Sequence, residues 1–391
     1  MRKRDRAIHR ALDRLGRGLL AAAAVSAVAG ALAGASGASA ASSAAVKAYC
    51  VNQHAVFRDP HPFMGTMDGL VDTDSPQLRD CTFGRMAANH IGYFRETISW
   101  AAVESVPHQY DFSVYDAVVS SLARHHMRLL PLLLGAPDRL STRPSHGALP
   151  ELYPPRRADQ FAYFASLCVQ RYGPHGSFWR THPELPYYPV QAWEVWNEPN
   201  LSLYWAPKPD PAAYVRLLKA SATAIRHVDP HATIVLAGMP FFNAPAEGSF
   251  LTTLYKDGAR NYFNALGLHT YSVTVGGSWQ RLQTARAVMN RFGDRAKGIW
   301  LTEWGWAGGP PNPYIVSASG QKQNVSAFLA LIQRYRRSIG LSEVMYFDWR
   351  DNIFAPAPKN YWIFHLGLIT LGLQPKPALA TVSAAAKTLD R

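Results

Sequence analysis

Cysteine is scarce in this chain of 391 residues: three occur, Cys50, Cys81 and Cys168. No pair is spaced as CxxC and no Cys/His cluster exists, so a structural zinc site is not expected. Charged residues make up only 17%, and they form no long basic run and no nucleic-acid motif, which argues against nucleic acid as a partner. No glycine-rich phosphate loop follows an early hydrophobic run, so a doubly wound dinucleotide fold is disfavoured and no nucleotide or redox cofactor is implied. A Gly-x-Ser-x-Gly elbow is missing too, which removes the usual esterase signal. There is no internal repeat and no Ser/Gly/Pro-rich linker, hence no room for an appended module. What the chain does have is 48% apolar and 12% aromatic residues, a globular composition with ample core.

The first forty residues stand apart. Seven Arg/Lys and two Asp fall within residues 1–18, an Ala-rich apolar run extends from Leu19 to about Ala33, and Ala38-Ser39-Ala40 closes the segment. A positive start, a short apolar stretch and small residues before a cut describe a secretory signal peptide. A membrane anchor is the rival reading, but a span needs about 20 strongly apolar residues, and this run is shorter and mostly Ala and Gly. The expectation is cleavage near Ala40, export by the general route to the exterior or cell envelope, and no stable membrane insertion afterwards. Of the net charge of +13, the first forty residues carry +5, leaving a scattered +8 that reads as a solvated surface. Export permits disulfides. Cys168 lies at helical spacing with Phe161, Phe164 and Ala165 and reads as a buried apolar residue, which leaves Cys50 and Cys81 as the candidate bridge.

From about residue 63, short apolar runs alternate with amphipathic stretches, the pattern of βα units and a parallel sheet. Strands are predicted at 63–67, 91–98, 128–134, 190–196, 233–238, 265–270, 299–303 and 343–349, and helices at 111–126, 158–172, 210–229, 279–292 and 319–339. Asp210-Pro211 supplies a helix cap and a first-turn proline. Eight strands with intervening helices predict a single-domain (β/α)8 TIM barrel over 63–391, with 41–62 as an N-terminal extension. Pro/Gly-rich segments 136–157 and 304–318 follow strands three and seven, where barrel active-site loops lie.

Two carboxylates end apolar strands. Trp193-Glu194-Val195-Trp196-Asn197-Glu198-Pro199-Asn200 runs off strand four, and Ile299-Trp300-Leu301-Thr302-Glu303-Trp304-Gly305-Trp306 runs off strand seven. Strands four and seven oppose each other in an eight-membered ring, so Glu198 and Glu303 can face across its mouth. Cleavage of a glycosidic bond with retention needs such a pair, about 5–5.5 Å apart. The acid should lie among apolar walls, with Trp196 and Trp205 as candidates; the nucleophile should have a cation and a donor beside it. Arg95 on strand two and Tyr271 after strand six are the candidates for that role.

On these motifs the chain resembles the clan of retaining barrel glycosidases whose acid/base follows strand four within Asn-Glu-Pro and whose nucleophile follows strand seven. It is most similar to family 39 (β-xylosidase-like) and family 5 (cellulase-like) enzymes, over residues 63–385. The tail, His365-Leu366-Gly367-Leu368 followed by Pro375-Lys376-Pro377-Ala378, is similar to the closing segment of such barrels. The resemblance implies a metal-independent hydrolase of O-glycosyl compounds with a carbohydrate substrate and no cofactor. It further implies that Asn197 binds the sugar 2-hydroxyl and that Trp349 forms the aromatic floor of the cleaved-sugar subsite. Leu132-Leu133-Leu134-Gly135 stands where many family 5 enzymes carry a histidine, a departure that weakens that assignment.

Each residue also has a plainer reading. Glu198 and Glu303 could be structural ion-pair members, but two acids ending apolar strands at this separation favour chemistry. Arg95 could neutralise a buried acid, and Glu194, of the same strand parity as Glu198, reads as a partner for Arg95 or for a backbone donor. His269 is either a satisfied core histidine or a site residue. Glu96 and Glu104 read as surface or loop charges. Of the tryptophans at strand ends, Trp349 is the one assigned to sugar, while Trp100, Trp196, Trp205, Trp304 and Trp306 stay open between sugar contact and core; Trp193 and Trp300, within strands, read as core. Three further readings remain: a transglycosylase with the same residues, a carbohydrate-binding barrel without chemistry, and an envelope-anchored glycan organiser. Oligomeric state has no signature in the sequence.

Overall fold

The computed structural model describes residues 43–52, 54–144, 152–241, 244–310, 314–352 and 361–389. The signal-peptide assignment lies outside these residues. Eight parallel strands close a barrel: β1 (Met64–Thr66), β2 (Tyr93–Ser99), β3 (Arg128–Leu134), β4 (Ala192–Val195), β5 (Thr233–Pro240), β6 (Ala265–His269), β7 (Gly298–Trp304) and β8 (Leu341–Tyr346). They pair in chain order, and β1 closes the ring on β8 through Met64↔Val344 and Thr66↔Tyr346. This is the (β/α)8 TIM barrel expected from the alternation of periods. Strand eight lies two to three residues earlier than predicted: β8 ends at Tyr346, and Phe347–Trp349 belong to the loop above it.

Helices surround the strands: α1 (Ser43–Tyr49) precedes the barrel, and α2 (Pro76–Ala88), α3 (Ser113–Arg124), α4 (Ala158–Tyr172), α5 (Pro211–Val228), α6 (Ala244–Lys256), α7 (Val275–Arg291), α8 (Ala318–Ile339) and α9 (Pro377–Leu389) follow. At the start of α5 the Asp210 carboxylate accepts from Ala213 N at 2.9 Å and Pro211 occupies the first turn, as read from the sequence. Gly340, with φ 64°, ends α8 in the left-handed conformation that glycine adopts without cost. Cys50 and Cys81 are bonded, tying the extension to α2, and Cys168 is free and buried in α4. No helix among the described residues is long and apolar enough to cross a membrane.

The barrel interior explains why the site sits where it does. Tyr93, Leu130, Ala192, Val235, Ala265, Trp300 and Met345, one from each of β2 to β8, form a buried apolar plug. On β1, Gly65 fills that place with no side chain, because a Cβ there would lie 2.1 Å from Met345 Sδ. Inward-facing residues recur every second position along a strand. Two residues beyond Tyr93, Ala192 and Trp300 stand Arg95, Glu194 and Thr302, the polar layer beneath the carboxyl ends of the strands.

Candidate active site

Arg95 organises this layer. Only 1% exposed, its guanidinium donates from Nε to Glu194 Oε2 at 2.6 Å, from Nη1 to Glu303 Oε1 at 2.8 Å and from Nη2 to Asn197 Oδ1 at 3.0 Å. Burial alone would lower its pKa, but Glu194 and Glu303 outweigh that and hold the group above its usual range, so it stays charged. Glu194 is held from both sides, since its Oε1 accepts from Gly238 N at 2.8 Å. Both partners considered for Glu194, a cation and a backbone donor, are therefore present at once.

Glu303 accepts on Oε2 from the Tyr271 hydroxyl at 2.9 Å. Burial raises its pKa, while Arg95 and the Tyr271 hydrogen bond pull it back. Glu198 feels the charge of Arg95 too, but takes no described hydrogen bond from it or from Tyr271. Burial first, and the negative charge of Glu303 second, raise its pKa well above the usual carboxylate range. Its described side-chain partner is His269, whose Nδ1 lies 2.7 Å from Oε1. The same nitrogen is 3.5 Å from Glu303 Oε2, so His269 bridges the two acids. Burial, then the nearby positive Arg95, lower the imidazole pKa well below its usual value, so it is neutral. The backbone at Glu198 is itself constrained: Trp196 and Glu198 take φ of 72° and 42°, a left-handed conformation costing roughly 1–3 kcal/mol for non-glycine residues. Glu198 N donates to Gly238 O at 2.9 Å, which pins that turn against β5.

Above these groups lies a cavity of about 710 Å3, counted out to open solvent and within the range of small-molecule sites. Arg95, Asn197, Glu198, Tyr271 and Glu303 line its floor; Met67, Leu132, Leu201, Leu203 and Tyr204 form apolar and aromatic sides. Phe347, Asp348, Asn352 and the segment Tyr361–Ile363 complete it from the β8 side. Burial, with the nearby Asp68, raises the Asp348 carboxyl well above its usual range.

Several expectations change. Trp349 is fully buried and does not line the cavity; its Nε1 donates to the Tyr49 hydroxyl of α1 at 2.8 Å. The loop turns it away because β8 has already ended, and the aromatic lining on that side is Phe347, Tyr361 and Trp362, of which Trp362 packs edge-on to Tyr271 at 5.3 Å. Trp196 and Trp205 do not line the cavity beside Glu198 but pack edge-to-face on each other at 5.6 Å, and Trp196 reaches Phe161 of α4. Leu201, Leu203 and Tyr204 supply the walls instead. Trp100 packs on Phe161 and Phe164, and Trp304 and Trp306 pack on Phe328 of α8, so these are barrel-to-helix contacts. Trp193 is fully buried, and Trp300 lies inside the barrel. Glu104 is 2% exposed and accepts from Trp100 Nε1 at 2.7 Å, so it is no surface charge. Glu96 is likewise drawn inward, its carboxyl pushed well up by burial and then by Asp72.

Tyr204, Asp348, Asn352 and Trp362 were missed by sequence reasoning. The Tyr361-Trp362 dipeptide in a loop after strand eight was the one visible signal for that side. Glu198, His269 and Glu303 also present ligand atoms within 4.8 Å of one another, the spacing of a possible metal site. Arg95 already supplies the cation beside Glu303, however, and two acids of unequal environment joined by a neutral imidazole suit proton transfer and nucleophilic attack.

No protein-family profile matches the chain, and no curated protein matches it either. Solved structures do. A family 39 glycoside hydrolase from Bacteroides cellulosilyticus WH2 superposes with TM-score 0.62 at 18% identity, over 87% of this chain and 65% of that one. Its structural neighbours are (β/α)8 glycoside hydrolases. A family 39 β-xylosidase from Caulobacter crescentus gives TM-score 0.60 at 18% identity, over 83% of this chain and 72% of that one. A xylanase from Paenibacillus barcinonensis gives 0.57 at 14% identity, over 82% of this chain and 95% of that one. At such identities the likeness is one of fold, and the chain spans just under two thirds of the Bacteroides enzyme.

Proposed function

We propose that this chain is an exported glycoside hydrolase that cleaves O-glycosyl bonds of an oligo- or polysaccharide by double displacement with net retention. The observation that carries this reading is the pair Glu198 and Glu303: strands three apart in the ring, a shared cavity, carboxylate oxygens within 4.8 Å of each other, and unequal environments. A separation of that order suits the roughly 5–5.5 Å of retaining enzymes and is too short for the water of an inverting one, which needs about 6.5–9.5 Å.

Glu303, held by Arg95 and Tyr271, attacks the anomeric carbon as the bond to the leaving oxygen breaks, and Glu198 gives its proton to that oxygen. Glu303 then becomes an ester and loses its charge. That removes one of the causes holding the Glu198 proton, so Glu198 can take a proton from water as the water attacks the anomeric carbon and frees Glu303. Asn197, its carbonyl engaged by Arg95 and its NH2 group beside the Tyr204 hydroxyl, has a further N–H to donate to a sugar hydroxyl. Trp362 and Tyr204 offer faces to the apolar side of a sugar ring. Export is proposed from the character of residues 1–40.

The test is reducing-sugar release from a broad panel of plant and microbial polysaccharides by the wild type and by Glu303→Gln. Release that the variant abolishes supports a hydrolase and identifies the glycan. Equal release by both overturns the assignment of the nucleophile, and no release from any glycan by folded wild type favours a binding barrel.

A further inference from the structure

His269 touches both carboxylates through one ring nitrogen, Nδ1. The other, Nε2, is sealed from solvent and has no hydrogen-bond partner among the described residues. The Thr302 hydroxyl, one residue before Glu303 on β7, is in the same condition, wholly buried and unpaired. The two atoms face one point: a Cβ on Gly238 would lie 2.1 Å from His269 Nε2 and 2.5 Å from Thr302 Oγ1. Glycine at 238 keeps open the space where imidazole and hydroxyl meet.

The two atoms make no hydrogen bond to each other in this structure, but buried polar atoms that converge so closely gain by pairing through a turn of the Thr302 side chain, since leaving either alone forfeits its hydration. Counting protons sets the direction. Were Nε2 to carry hydrogen, Thr302 would accept it, and the hydroxyl proton would stay buried with no acceptor. With Nε2 bare, Thr302 donates to it and one bond satisfies both atoms. A neutral imidazole has a single N–H, so a bare Nε2 places that hydrogen on Nδ1. Nδ1–H then donates to Glu198 Oε1, and an oxygen receiving that bond is not the one carrying the carboxyl proton. The proton of Glu198 is left on Oε2, the oxygen His269 does not hold.

We propose that Thr302 is a positioning residue: its hydroxyl donates to His269 Nε2, locks the imidazole as the Nδ1–H tautomer, and so keeps the acid proton of Glu198 on the oxygen offered to the leaving group. This rests on the reading of Glu198 as acid/base. Without the hydroxyl, the other tautomer becomes available, Nδ1 accepts from Glu198, and the proton is held off the reaction path.

Thr302→Val removes the hydroxyl at nearly constant shape, and Thr302→Ser restores it. The substrates are β-xylosides, β-glucosides and β-mannosides with either a phenyl or a 2,4-dinitrophenyl leaving group, the latter departing without a proton. Thr302→Val should lose about tenfold or more in kcat/KM on the phenyl glycosides, a share of the roughly 10²–10⁴-fold a general acid supplies, but less than about threefold on the dinitrophenyl ones. Its basic limb should move to higher pH, because accepting the Glu198 proton at Nδ1 favours the protonated acid. Thr302→Ser should behave as wild type. Equal loss on both leaving groups, or a serine variant as poor as valine, overturns the proposal.

Ring-15N NMR of histidine-labelled protein, with His269 assigned by difference from His269→Asn, reads the tautomer without turnover. Nδ1–H in the wild type is expected, and Nε2–H there sinks the proposal whatever the kinetics. If the wild type turns over no glycoside yet shows Nδ1–H that Thr302→Val loses, the hydrolase reading has failed while the Thr302 lock stands; Nδ1–H unchanged in Thr302→Val overturns the lock.

Discussion

Replacing Arg95 with methionine removes one cation from beneath the site while keeping most of the side-chain volume. The structure makes the consequence large. Glu194 is fully buried and Glu303 is 8% exposed, and both, together with Asn197, take hydrogen bonds from this one guanidinium. Breaking a buried pair by deleting one member leaves the other charge unpaired and costs about 3–5 kcal/mol. At roughly 2–4 °C per kcal/mol for large domains, the melting temperature should fall by about 6–20 °C at neutral pH. The variant should also respond to pH in a particular direction. Burial already raises the Glu303 carboxyl above its ordinary range and Arg95 is the first influence pulling it back, so without Arg95 it rises further. That stabilising contribution of protonation is complete below the unfolded value near 4.3 and disappears as pH rises through the folded value. The gap to wild type should therefore be widest at pH 7 and shrink at about pH 4.5. Thermal melts of both proteins at the two pH values measure it. A loss under about 0.5 kcal/mol at pH 7, or a gap that widens on acidification, would refute the account of Arg95 as the shared counter-ion.

Other consequences are as specific. Because burial and Glu303 hold the Glu198 proton, the kcat/KM profile on a cleaved glycoside should keep its basic limb well above the ordinary glutamate value of about 4.3; a limb near 4 would contradict the acid assignment. Trp362→Ala should raise KM about tenfold through lost stacking worth roughly 1–1.5 kcal/mol. Trp349→Phe, which gives up only the bond to Tyr49, should keep KM within about twofold while losing about 1 kcal/mol of stability. Reversed KM effects would return Trp349 to the subsite. Reducing Cys50–Cys81, which closes 31 residues, should cost up to about 3–4 kcal/mol by chain entropy. Since the bridge ties the extension to α2, hydrogen exchange should rise first there, and a uniform rise across the barrel would show that the bridge does more.

Period and punctuation carried the fold. Alternation of short apolar runs with amphipathic stretches is a local property, written every two or about 3.6 residues, and so the eight strands, the cap at Asp210 and the helices at 158–172 and 319–339 could be read directly. Glu198 and Glu303 were legible for the same reason: each follows a recognisable strand, and strand number alone places them on opposite sides of a closed ring. Strand parity likewise pointed Glu194 at Arg95.

Where the chain leaves its strands, that logic stops. The resemblance assigned Trp349, read as the end of strand eight, to the sugar, but β8 closes three residues sooner, and a loop residue obeys no alternation. Its buried place against Tyr49, 300 residues away in sequence, depends on how the extension packs. Trp196, Trp205, Glu96 and Glu104 went inward for partners that no spacing announces. The convergence of His269 Nε2 and Thr302 Oγ1 over Gly238 belongs to the same class, since it joins three strands. The sequence by itself determined the barrel, its polar end and the two acids, because periodicity and strand order are carried by neighbours along the chain. Only the tertiary structure decided which aromatics face the cavity, that His269 touches both acids and that Glu194 is held by Arg95 and Gly238 at once, because burial and distance between remote residues set those.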